Sequence, residues 1–222
     1  MSNTNRAGKR LTRWFLINLF IAAVLCALTG RYQDPWLWAY VAAAAAIGLY
    51  PALHLDDDLA KERFQPPEPG ADRFPLMAVR LIAMAHIVVA CLDARWQISH
   101  VPDGVRVLGL VGMTVSFGLF IRAMMANRFF SAVIRIQKDR GHHVVDQGPY
   151  AVVRHPGYAG MLPSMAFSGL ALGSWFGFAL GVGCSLLTLR RVLFEDAYLR
   201  AHLAGYQEYA TRVRYRLIPG VW

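Results

Sequence analysis

The chain has 222 residues, of which 56% are hydrophobic and only 17% charged, and a formal net charge of +9. That balance is too apolar for an ordinary soluble domain of this length. The basic excess also lacks the aromatic residues interleaved on a soluble face that nucleic-acid binding requires, so the membrane is the natural solvent and no nucleic-acid partner is expected.

Apolar runs fall at 14–29, 36–53, 76–92, 104–126 and 159–189. Most approach the roughly 20 residues a helix needs to cross about 30 Å of hydrocarbon. The first follows RAGKRLTR, has no clear small-residue cleavage site and is followed by further spans, so it reads as a signal anchor. After the second comes HLDDDLAKERFQPPEPGADRF (54–74), rich in proline and acid, which reads as a solvated connector. Its one aspartate run, Asp56 to Asp58, falls short of the two facing clusters that hold bridging magnesium ions in diphosphate enzymes.

Arg80 and Arg122 lie within the third and fourth runs. Such groups are costly in hydrocarbon and are expected to face the interior or a wet cavity. Arg122 is the better candidate for lining a substrate path, with snorkelling to the interface as the alternative. GLVGMTVSFG (109–118) in the fourth run would permit a lateral gap between helices, or serve close helix packing.

The stretch 127–158, NRFFSAVIRIQKDRGHHVVDQGPYAVVRHPGY, is polar enough to leave the bilayer. SAVIRI and HHVV are β-prone and flank QKDRG, which predicts a short hairpin or an extended crossing strand. Pro156 biases His155 away from helix, so the next helix is expected to begin at or just after Pro156. Its N-terminus, with Arg154, His155, Tyr150 and Tyr158 nearby, suits a carboxylate or phosphate; an interfacial belt of Tyr and Arg is the other reading.

The fifth run, 31 residues long, exceeds one span. Gly173-Ser174 divides it into two arms of a hairpin, giving about six membrane helices in an all-α integral membrane protein. Beyond it, Arg191 and Glu195 sit four apart on one helical face, a spacing that also describes an ordinary ion pair. Cys26, Cys91 and Cys184 lie inside apolar runs at unrelated spacings and read as packing residues, with no metal site implied.

Orientation follows from the basic residues. Of 23 Lys and Arg, two (Arg80 and Arg122) fall within spans and three (Arg31, Arg95 and Arg106) in the loops of one side, which leaves eighteen on the other. Basic residues are retained in the cytoplasm, so both termini and the long polar stretches are expected there.

HHVVDQGPYAVVRHPGYAG, a hairpin, RRVLFED and YQEYATRVRYRLIPGVW together resemble the isoprenylcysteine carboxyl methyltransferase family and its relatives among phospholipid N-methyltransferases. The resemblance covers about 104–222, so 1–103 form an N-terminal membrane region with its connector and 104–222 the catalytic region. It implies membrane helices whose cytoplasmic end closes over S-adenosylmethionine. By position it implies a cofactor cradle of Gln137, His142, His143, Val144, Val145, Tyr150, His155, Pro156, Gly157 and Tyr158. Glu195 corresponds to the acid that binds the cofactor, and Arg191 to an arginine at the substrate end. Asp196 stands where relatives often have Glu.

The expected activity is carboxyl O-methylation of a lipophilic, prenylcysteine-like acceptor entering from the bilayer. A carboxylate is already ionised at pH 7 and needs no general base; no residue is clearly set apart as one. The alternatives are methylation of a phospholipid amine or a small thiol, or an NADPH-dependent sterol-type reductase on the same scaffold. A membrane scaffold or small transporter would bind no adenosyl nucleoside.

Overall fold

Short side chains and prolines start most of the helices. Asp34 accepts from Trp36 N ahead of Pro35, Asp56 from Asp58 N and Leu59 N, and Ser174 from Gly177 N, so each satisfies backbone donors that a first helical turn leaves unpaired. The helices are α1 (Asn3–Thr29), α2 (Pro35–His54), α3 (Asp57–Phe64), α4 (Arg73–Trp96), α5 (Asp103–Ala126), α6 (Pro156–Ala171), α7 (Trp175–His202) and α8 (Tyr206–Arg212). The computed structural model describes residues 3–222, with side chains from residue 7 onward except Phe74 and Pro75. Arg6, counted above with the basic residues, lies outside the described side chains.

Helices α1, α2, α4, α5 and α7 are long and apolar enough to cross a membrane, and the protein is a multi-pass membrane protein. The sixth expected span, α6, has 16 residues, about 24 Å at 1.5 Å per residue. It begins at Pro156 as the sequence predicts, and most of its length is buried between α5 and α7 rather than facing lipid. Its hairpin with α7 turns at Gly173, whose φ of +83° is open to glycine at little cost. Helix α7 then runs on to His202, well past the apolar run, and carries its last turns out to the polar end.

Contact between α5 and α6 is close because glycines remove the side chains that would keep them apart. A Cβ on Gly160 would stand 2.4 Å from Phe120 N, and one on Gly109 2.6 Å from Ala171 N. Gly109 and Gly112 therefore serve close packing against α6. At the opposite end of the bundle, Asp93 of α4 accepts from Ser99 N and from the hydroxyls of Ser99 and Ser174, tying α4 to the hairpin turn.

Three sequence expectations change. No strand forms among the described residues: Ile134 N donates to Asp72 Oδ1 and Ile134 O accepts from Ala71 N, so Ile134 of the SAVIRI segment spends its backbone groups on 71–72 and not on HHVV. Two 3₁₀ turns, Lys138–Arg140 and Gly148–Ala151, shape the rest. The connector 54–74 is not merely solvated, since Leu59, Glu62 and Asp72 are buried. Finally, Arg80 and Arg122 are exposed. Both lie within two turns of the polar end of their helices, near enough for a long stem to carry the charge out of the hydrocarbon.

Candidate functional site

The loop 127–155, the start of α6, the last turns of α7 and helix α8 enclose a cavity with about 960 Å³ of empty space, its open mouth included. Gln137, His142, His143, Val144, Val145, Tyr150, His155, Gly157, Tyr158, Arg191 and Glu195 all line it. Pro156, the remaining residue of the expected cradle, is fully buried behind the wall at the first position of α6.

These residues have different degrees of freedom. Gln137 is 1% exposed; its amide donates to Phe129 O at 2.7 Å and accepts from Arg140 at 2.5 Å, so it shapes the loop with little left to offer a ligand. His142 stacks on Phe129 with ring centroids 4.5 Å apart and accepts from Gln137 N through Nδ1. Burial, then the charges of His143, Arg135 and Arg140, push its pKa down to about 4, so the ring is neutral at pH 7. The Tyr150 carbonyl accepts from Tyr209 OH at 2.7 Å, which fastens α8 across the loop.

His155 is buried, 4% exposed. Its Nε2 lies 3.2 Å from Asp196 Oδ1, within a cluster where Asp196 also accepts from Arg154 at 2.8 Å, Tyr206 at 3.1 Å, and Arg200 and Arg216 at 3.2 Å each. Arg154 further donates to Val213 O and Arg214 O. Backbone bonds from Arg154 N to Tyr215 O and His155 N to Arg216 O complete the junction of loop and C-terminal tail. Asp196 thus holds the site's frame from behind.

Glu195 and Arg191 do not pair directly. Tyr158 stands between them: its hydroxyl donates to Glu195 Oε2 at 2.7 Å and accepts from Arg191 Nη1. The other nitrogens of Arg191 reach Asp72 Oδ2 at 2.5 Å and Ala132 O at 2.8 Å. Glu195 keeps a quarter of its side chain exposed and has carboxylate lone pairs to spare.

Sequence reasoning passed over several members. Asp72 and Glu62 come from the connector; Glu62 binds Arg135 with both oxygens, at 2.6 and 3.1 Å. Arg63, Phe120, Phe129, Phe130, Tyr206 and Tyr209 also face the cavity. The aromatic pair in NRFF was a readable signal, while Arg63 and Asp72 sit in a segment whose composition reads as solvated. Among the described residues no group of three metal-ligating side chains gathers.

The arrangement suits a zwitterionic nucleoside. The first amides of α6 are at the cavity wall, and the first turn of a helix leaves its N–H groups without intrahelical partners, which favours a carboxylate. Glu195 suits an ammonium, and Val144, Val145, Leu199 and Leu203 supply apolar faces. The frame needed for these contacts is held by protein bonds already in place.

Comparison with known proteins is consistent with this geometry. Residues 109–201 match the profile of the isoprenylcysteine carboxyl methyltransferase family. The chain is 31% identical over 124 residues to protein-S-isoprenylcysteine O-methyltransferase B of Arabidopsis thaliana, covering 55% of this chain and 60% of that protein. It is 29% identical over 153 residues to a probable protein-S-isoprenylcysteine O-methyltransferase of Oryza sativa subsp. indica, covering 62% and 72%, and equally so to one of subsp. japonica. The match therefore spans about 60% of the length of the Arabidopsis protein.

Proposed function

We propose, from the match of residues 109–201 to the isoprenylcysteine carboxyl methyltransferase family, that this protein is a membrane-embedded methyltransferase that esterifies the carboxylate of a lipophilic, prenylcysteine-like acid. The observation that carries the proposal is the convergence of the expected cradle on one cavity at the polar end of the bundle, with Tyr158 bridging Glu195 and Arg191. When bound, S-adenosylmethionine supplies an electrophilic methyl group on a sulfonium. Glu195 holds its ammonium, the α6 N-terminus its carboxylate, and the valine and leucine walls its adenine.

Arg191 is the candidate catalytic residue at the acceptor end, with its guanidinium fixed by Asp72 and Ala132 O. The chain's main task is positioning, which can lower a barrier by roughly 7 to 11 kcal/mol. A carboxylate acceptor is ionised at pH 7, so no residue has to remove a proton. The polar end faces the cytoplasm in this reading, in keeping with eighteen basic residues there against three on the other side.

Titration calorimetry of the full chain in detergent tests the proposal. Micromolar binding of S-adenosylhomocysteine, with no comparable response to NADPH, is the expected result. The reverse preference would replace the transferase with a sterol-type reductase, and binding of neither would favour a scaffold or transporter.

A further inference from the structure

Four arginines from different parts of the chain line the cavity, and their charges are treated differently: Arg154 is paired with Asp196. Arg135 is paired bidentately with Glu62. Arg191 is paired with Asp72, and its Nη1 and Nη2 are occupied by Tyr158 and Ala132 O. Arg63 has no carboxylate and no hydrogen-bond acceptor among the described residues, yet it is half-buried and lines the cavity. Its guanidinium carbon lies 5.6 Å from the ring centres of both Phe120 and Phe130.

Position follows from the neighbouring residue. Glu62 is anchored in the loop 127–155 through Arg135, and Leu59 is buried beside it, so α3 is fixed against the site. Arg63, next in sequence, is carried over the aromatic pair. Aromatic faces attract a cation by a modest amount and do not neutralise it, and a partly desolvated charge without a counter-ion is costly. Burial, with repulsion from Arg191 and Arg80, pushes the pKa of Arg63 down. A ligand anion at this point would relieve that cost, and the apolar surroundings, Phe120, Phe130 and Met161, select one attached to a greasy chain.

We propose that Arg63 is a specificity-determining residue of the acceptor subsite: it supplies the unpaired positive charge that draws in the carboxylate of a lipophilic acid, while Arg191, held by Asp72 and Tyr158, remains the residue at the reacting end. This rests on the transferase reading. In the step itself a carboxylate oxygen of the acceptor forms a bond to the methyl carbon, the carbon–sulfur bond breaks, and its electron pair stays on sulfur. The ester produced is neutral. Arg63 therefore favours the acid over its own product, which helps the product leave. The residue lies outside the 109–201 family match, so the connector of the N-terminal region takes part in choosing the substrate.

The test uses the full chain in detergent with an N-acetylated S-prenylcysteine and its carboxamide, in wild type, Arg63→Met and Arg63→Lys. Wild type is expected to bind the acid at least tenfold more tightly than the amide. Arg63→Met should bind the two equally and raise KM for the acid at least tenfold, with S-adenosylhomocysteine affinity unchanged within about twofold; Arg63→Lys should restore part of the preference. Acid preference retained in Arg63→Met, or a loss shared equally by acid, amide and S-adenosylhomocysteine, overturns the role of Arg63 and leaves the transferase reading intact. A wild-type protein that binds neither S-adenosylhomocysteine nor the acid overturns both.

Discussion

Glu195 and Asp196 are adjacent carboxylates with opposite situations. Glu195 accepts one hydrogen bond from Tyr158 and faces the cavity. The side chain of Asp196 is 3% exposed, and it is the counter-charge for Arg154, which is 2% exposed. Asp196→Asn leaves that arginine without its partner, and breaking a buried pair in this way costs about 3 to 5 kcal/mol. The thermal midpoint should fall markedly. Glu195→Gln can still accept from Tyr158, so its midpoint should stay close to wild type while S-adenosylhomocysteine binding weakens at least tenfold. Equal effects of the two on both measurements would contradict this division.

His142 gives the residue scale a pH signature. Its folded pKa of about 4 lies below the usual 6.5 or so of an unfolded histidine. The unfolded chain thus takes up the proton first as pH falls, and the contribution to stability, fully present above about 6.5, is lost progressively down to about 4. Thermal midpoints across that window should drop less in His142→Gln than in wild type; parallel curves would show that the ring titrates normally.

At the scale of elements, the hairpin α6–α7 is the part on which the site depends, because the start of α6 and the end of α7 both belong to the cavity. Gly160 allows α6 to lie against α5. In Gly160→Ala the new Cβ would meet Phe120 N and Ser116 O at 2.4 and 2.5 Å, and backbone cannot move aside as a flexible side chain can. Overpacking of this kind costs about 1 to 3 kcal/mol. Gly118→Ala on α5 has nothing within 4 Å and should be neutral or slightly stabilising through helix propensity. Thermal midpoints of the two variants in detergent make the comparison, and similar values would mean that the α5–α6 contact is looser than its geometry.

For the whole molecule, the membrane helices and the polar site are joined through the connector. Asp72 binds Arg191 of α7 and Ile134 N of the long loop at once, so one side chain sets both the acceptor end and the path of the loop. Asp72→Asn should lower methyl transfer at least tenfold and reduce thermal stability, while S-adenosylhomocysteine, whose proposed contact is Glu195, should bind within a few fold of wild type. Unchanged turnover would show that Arg191 is held without it.

Local chemistry was enough to read the membrane helices, because about 20 consecutive apolar residues have one stable form in hydrocarbon. It was also enough to place the start of α6 at Pro156 and the turn at Gly173, since each follows from a backbone constraint of the residue itself. That most of the residues from Gln137 to Tyr158 singled out in the sequence line one cavity also has a local cause, since they are close in sequence. Tertiary structure alone decided which carboxylate serves which cation. Arg191 and Glu195 look like one helical pair by spacing, but Asp72, 119 positions from Arg191, takes the arginine, and Tyr158 takes the glutamate. Likewise Ile134 spends its hydrogen bonds on 71–72 and forms no strand, and Arg63 gains its place from a neighbour's pairing with Arg135. These are contacts between segments far apart in the chain, formed where packing removes water and leaves each buried polar group to find a protein partner, and no local pattern encodes which partner that will be.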